Sequence, residues 1–146
     1  MLFMATATPP TALIFPWNDS YSVRIPQIDA QHKGLIRLIN DLHSAMAAGK
    51  GKEALGTILD ELVRYTESHF KYEEGMLRQR QYSGLAAHQS EHQKLTGQVI
   101  ELRERFRSAR LTLSVEVMQF LKNWLGNHIM VHDQAYAREL KTTGTR

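Results

Sequence analysis

A chain of 146 residues is about one domain, long enough to bury a core without disulfides or other staples. It contains no cysteine, which excludes a disulfide framework, a thiolate metal site and a cysteine nucleophile, so any metal held here is held by nitrogen and oxygen. The net charge of +3 leaves a nearly balanced surface: Arg103, Arg105, Arg107 and Arg110 are interleaved with Glu101 and Glu104, which reads as a solvated helix face and argues against a nucleic-acid partner.

Met1 to Pro16 carry Ala, Thr and Pro9-Pro10 without a helical period, and read as a flexible or partly ordered N-terminal extension ahead of a helical domain over 17–146. None of the first 23 residues is the Lys or Arg that a secretory leader would need, and no apolar run approaches the ~18 residues of a membrane span. The expectation is a cytoplasmic protein without membrane insertion.

From residue 29 onward the apolar pattern is helical. Asp29 is placed to cap a first helix whose stripe runs His32, Leu35, Ile39, Leu42 and Met46, ending near Gly49-Lys50-Gly51. A second helix, roughly 53–80, aligns Leu55, Leu59, Leu62, Thr66, His69, Glu73 and Met76, and Tyr82-Ser83-Gly84 breaks the chain after it. The third, roughly 84–109, aligns Leu85, His88, His92, Leu95, Val99, Leu102 and Phe106. Ser114 caps a fourth with Val117, Leu121, Trp124, His128 and Val131 on its inner face. No strand-like alternation and no solenoid repeat intervene, and the connections are short. The fold class is therefore all-α, an antiparallel up-down-up-down four-helix bundle with an N-terminal arm.

Five of the seven histidines sit inside these apolar stripes, so folding takes them out of water. His69-x-x-x-Glu73 and His88-x-x-x-His92 each present two donors about one turn apart on one helical face. Glu73 is a buried carboxylate, and an isolated charge in an apolar interior is prohibitively unfavourable. Either pair alone is common in helices; three converging stripes with His128 on the fourth are not. A cation compensates the buried charge, and imidazoles with a few carboxylates suit iron, zinc or copper.

Trp17-Asn18-Asp19, Ile28-Asp29-Ala30-Gln31-His32, His69-x-x-x-Glu73, His88-x-x-x-His92 and Trp124-Leu125-Gly126-Asn127-His128 followed by Asp133 together resemble the hemerythrin family in its single-domain bacterial form, over about residues 17–140. The resemblance implies two iron ions joined by an oxo or hydroxo bridge. One takes His88, His92 and His128, the other takes His32 and His69, and Glu73 and Asp133 bridge them. It also implies reversible binding of dioxygen at the one coordination position left open, for storage, transport or delivery to an oxygen-consuming enzyme, and a binding protein, not an enzyme. The alternatives are oxidase, peroxidase or nitric-oxide chemistry at the same irons, or an oxygen or redox sensor. The absence of Glu-x-x-His weakens the oxidase reading.

Helical spacing alone would not choose Asp133. At about 100° per residue, His132 lies about 40° around the helix from His128 and Asp133 about 140° away. The family pattern selects Asp133, which requires a π-bulge or a loosened turn there, and leaves His132 as an outward or supporting residue. His43 follows His32 on the same face but ~16 Å along the axis, too far to ligate. Leu35, Phe70, Trp124, Leu125 and Ile129 adjoin ligand positions and are candidate walls of an oxygen pocket. Tyr82 and Tyr136 are candidates to hydrogen-bond the carboxylates.

Overall fold

The computed structural model describes residues 13–143. A short 3-10 turn, Asp19–Tyr21, leads into helices α1 (Pro26–Ala47), α2 (Lys52–Gln79), α3 (Leu85–Arg107) and α4 (Val115–Asn127). A π-helical segment, His128–Asp133, follows α4 and passes into α5 (Gln134–Thr143). Both junction residues, His128 and Gln134, keep helical backbone angles, so α4, the π segment and α5 form one continuous rod. The four rods pack as a bundle with α2 against α1 and α3, and α1 against α4. No strand occurs among the described residues, and no helix is long and apolar enough to cross a membrane.

The start of α1 differs from the sequence expectation. The helix begins at Pro26, ahead of Asp29, with Ile25 at the cap and no side-chain cap bond. Pro at the first helical position has its φ preset and lacks an N–H that would be unpaired there anyway, so the turn starts without an acidic cap. Asp29 instead reaches back from the first turn: its carboxylate accepts from Ser22 Oγ at 2.6 Å and from the Val23 amide at 2.9 Å. Elsewhere the end signals hold. Gly49, at φ +74°, follows α1 while the Lys50 amide bonds back to the Ala45 carbonyl, and the Ser114 hydroxyl accepts from the Val117 amide at the head of α4.

Two apolar clusters fill the interior. The larger runs from Leu35, Leu62 and Phe70 through Leu95, Leu121 and Leu125 to the far end at Leu55 and Phe106. The smaller gathers Val23, Ile25, Ile28, Leu77, Tyr136, Ala137 and Leu140. Along the chain, His32 falls between Ile28 and Leu35, Glu73 between Phe70 and Leu77, and Asp133 between Ile129 and Tyr136, so a polar layer separates the clusters. Phe15, from the segment whose composition reads as an arm, is fully buried. Asn40 clamps it, donating to the Phe15 carbonyl and accepting from its amide, both at 2.9 Å. The remainder of the expected extension, residues 1–12, lies outside the described residues.

Candidate metal centre

The polar layer is built from one side of each rod. His32 comes from α1, His69 and Glu73 from α2, His88 and His92 from α3, and His128 and Asp133 from the two ends of the π segment. All seven are at most 3% exposed. In a π turn the hydrogen bond runs from i to i+5, which brings residues five apart onto one face. His128 and Asp133 are such a pair, and Asp133 Oδ1 lies 3.1 Å from His128 Nε2. The same slip of register carries Val131, expected on the inner face, out to 59% exposure.

Potential ligand atoms fall into two groups, each with its members within 4.8 Å of one another: Glu73, His88, His92, His128 and Asp133 in one, His32, His69 and Glu73 in the other. Both carboxylates span the groups. Glu73 Oε1 lies 2.9 Å from His88 and 3.0 Å from His92, whereas Oε2 lies 3.7 Å from His32 and 3.6 Å from His69. Asp133 Oδ1 faces His88 at 3.2 Å as well as His128, and Oδ2 faces His32 at 3.1 Å.

Several of these atoms make no aligned hydrogen bond inside the protein. Both nitrogens of His32, Nε2 of His69, Nδ1 of His128 and both oxygens of Asp133 are buried without an aligned hydrogen bond. The Asp133 contacts near 3.1 Å are close enough for attraction but not directed as hydrogen bonds. Nε2 of His92 and Nε2 of His128 approach to 3.2 Å, a contact natural for two donors turned to a common cation. Buried polar groups are paired in native proteins as a rule, so this concentration of orphan donors fits a bound metal.

Electrostatics follows the same layout. Burial disfavours charge on His32 and His88, but Asp133 and Glu73 outweigh it and raise both to about 9. At His69 burial wins over Glu73 and the pKa falls to about 4. Burial pushes the Glu73 carboxyl up, yet the imidazoles of His32, His69, His88 and His92 hold it well below the usual range. Asp133 is likewise held low by His128 and His32, against burial and the charge of Glu73.

Supporting contacts complete the site. The Tyr136 hydroxyl donates to Glu73 Oε2 at 2.8 Å, and burial followed by the two carboxylates pushes its phenol well above the ordinary range, so it stays a donor. Tyr82 meets His88 and Tyr136 through its ring edge. His69 Nδ1 is paired with Gln31 Oε1 and His92 Nδ1 with Glu74 Oε2, both at 2.6 Å. Gln31 and Glu74 escape a stripe-based reading because each adjoins a ligand in sequence and belongs to the helix flank; their only signal was that adjacency to His32 and Glu73. Such partners orient ligating imidazoles and fix which nitrogen carries the proton.

The expected pocket residues are all buried. Phe70 stacks flat on His92, centroids 3.8 Å apart and planes within 5°. Trp124 spends its indole N–H on the Leu95 carbonyl at 3.1 Å, which leaves its ring as an apolar wall. Leu35, Leu125 and Ile129 belong to the larger core cluster. His132 stands outside the cluster, 40% exposed at its side chain, paired with Glu91 at 3.6 Å and lying 24° from parallel to the His128 ring. His43 is half-buried near the end of α1 and takes no part.

Known proteins share this pattern. The family described as the Hemerythrin HHE cation binding domain matches residues 23–140. A bacteriohemerythrin of Stenotrophomonas maltophilia is 38% identical over 125 residues, covering 86% of this chain and 80% of that protein. One of Methylococcus capsulatus is 36% identical over 124 residues, covering 84% and 94%. The crystal structure of a wild-type hemerythrin superposes with a TM-score of 0.79 at 31% identity, covering 86% of this chain and 96% of that one. With a family pattern spanning residues 23–140 and relatives 36–38% identical over most of its length, the chain belongs to the hemerythrin family.

Proposed function

We propose that this chain holds two iron ions side by side and binds dioxygen reversibly, for storage or for delivery to an oxygen-consuming enzyme. The observation that carries this reading is the division of the buried carboxylates: Glu73 and Asp133 each turn one oxygen to the His88 side and the other to His32. His88, His92 and His128 would hold one ion and His32 and His69 the other, with both carboxylates spanning them. When bound, an iron pair supplies two electrons to dioxygen and recovers them on release. The smaller imidazole count would leave the His32–His69 side with room for an outside ligand.

The protein's part is to hold and to exclude. Gln31 and Glu74 fix the rings of His69 and His92, and Tyr136 fixes Glu73. Leu35, Phe70, Leu125 and Ile129, each at most 4% exposed, keep bulk water away from the centre. The described cluster sets two carboxylates against five imidazoles, a weakly anionic set that stabilises high oxidation states less than carboxylate-rich di-iron sites do, which favours a binder over an oxidase. The reading includes a cytoplasmic location, which cell fractionation tests.

The deciding experiment loads the reduced protein, exposes it to air and sweeps it with argon over repeated cycles. A charge-transfer absorption that appears and disappears completely supports reversible binding; one-way oxidation with peroxide release overturns it. Close to two irons per chain by elemental analysis is expected, and a single zinc overturns the reading. In His69→Ala the adduct is lost while helix content largely survives.

A further inference from the structure

Outside the seven residues of the polar layer, two polar side chains are buried among the described residues, Asn40 and Thr66. Asn40 is occupied at both ends by the Phe15 backbone. Thr66 is not: it is fully buried, and its hydroxyl bonds to nothing, not even a carbonyl of its own helix. An unpaired buried hydroxyl is destabilising, and Val would fill nearly the same space without that penalty. A Thr here calls for a partner from outside the chain.

Its position says which. Thr66 lies one turn before His69 on the buried face of α2. Helical side chains lean toward the N-terminus, so the His69 ring lies over the turn that carries Thr66. Since α1 runs opposite to α2, Leu35, one turn beyond His32, comes to the same level. Leu125, one turn before His128 on the rod parallel to α2, joins them, and Leu35, Leu62, Leu125 and Ile129 share one buried cluster. The His32–His69 side is thus roofed by aliphatic residues and a single hydroxyl.

We propose that the Thr66 hydroxyl is the hydrogen-bond donor that this aliphatic layer offers to a small electron-rich ligand, dioxygen or an anion of two or three atoms, held at the His32–His69 side. The inference rests on the reading that this side takes the outside ligand. It makes Thr66 a specificity-determining residue, favouring ligands whose outer atom gains negative charge on binding over neutral ones of the same size.

The test uses the iron-loaded full chain, Thr66→Val, Thr66→Ser, and azide as well as dioxygen. In Thr66→Val the azide dissociation constant and the dioxygen release rate each rise about tenfold, the equivalent of one charge-assisted hydrogen bond, and Thr66→Ser stays within about twofold of the parent. In the metal-free chain the melting temperature of Thr66→Val is unchanged or higher, because no internal bond is lost. A lower melting temperature shows a structural partner and overturns the proposal, as does parental azide affinity and oxygen release in Thr66→Val. If the parent fails to cycle oxygen yet loses azide affinity on Thr66→Val, the proposed function falls and Thr66 stands. A parent that binds neither ligand overturns both.

Discussion

Tyr136 donates its phenolic hydrogen to Oε2 of Glu73 across 2.8 Å, from the only fully buried tyrosine among the described residues. The bond ties α5 to α2 and leaves Oε1 free to face His88 and His92. In Tyr136→Phe the ring still packs with Ile28, Leu77 and Leu140, so the fold is kept. Losing a hydrogen bond to a charged group costs about 2 kcal/mol, read from urea unfolding of the metal-free chain. Metal affinity drops roughly 10- to 100-fold, as for other outer partners of metal ligands; equal affinity in competition with a chelator would show that Glu73 needs no such support.

Glu74 is the corresponding partner on α3's side, holding His92 Nδ1 at 2.6 Å. Glu74→Gln keeps an acceptor but removes the charge that makes the imidazole a stronger donor to metal. Metal affinity is expected to weaken at least ~10-fold with little change in helix content. Circular dichroism alongside metal titration checks both halves of this statement.

Metal loading is coupled to protons. Burial opposes charge on His32 and His88, but Asp133 and Glu73 hold both near 9 in the metal-free chain, so at pH 7 both carry a proton. A metal ion needs the bare nitrogen, and each proton must leave. His69, held near 4, is already neutral. Loading at pH 7 therefore releases about two protons per chain from these imidazoles, besides any given up by a bridging water, and affinity climbs from pH 7 to about 9 before levelling. A pH-stat titration with ferrous ion measures the count; a release near zero would show that His32 and His88 are neutral before the metal arrives.

Chelation should also cost stability, since the folded chain alone presents the converged ligands. At a free metal concentration about 1,000 times the dissociation constant, binding adds roughly 4 kcal/mol, which for a chain of this size moves the melting temperature by about 10 °C. Calorimetry with and without chelator checks the shift.

Asn40 makes a separate prediction about the chain's beginning. Asn40→Ala strands the buried amide and carbonyl of Phe15, and the loss, measured by urea unfolding, is expected at about 2–3 kcal/mol. Removal of residues 1–15 should cost more, because it also empties the space of a fully buried Phe.

Much of this was legible in the residue order. Stripe positions of His32, His69, Glu73, His88, His92 and His128 follow from a period of 3.6, and all six lie where that period puts them. Asp133 does not obey it, and only the family pattern singled it out. Pro26 began its helix ahead of Asp29 because a preset backbone angle made an acidic cap unnecessary. Val131 went outward for the same reason that Asp133 turned inward. Contacts between residues distant in sequence, Phe15 with Asn40 and Gln31 with His69, leave no periodic trace.

The π segment changes the phase of the helix that contains it. Up to its first residue the buried positions include Met118, Leu121, Trp124, Leu125 and His128; from its last residue on they are Asp133, Tyr136, Ala137 and Leu140, one residue later than an uninterrupted count would place them. The rod behaves as two helical inscriptions printed in different frames and spliced at the buried polar layer. Deleting exposed Met130 or Val131 would bring the two frames into step, letting ordinary α-helical spacing align His128 with Asp133 while erasing the bulge between them.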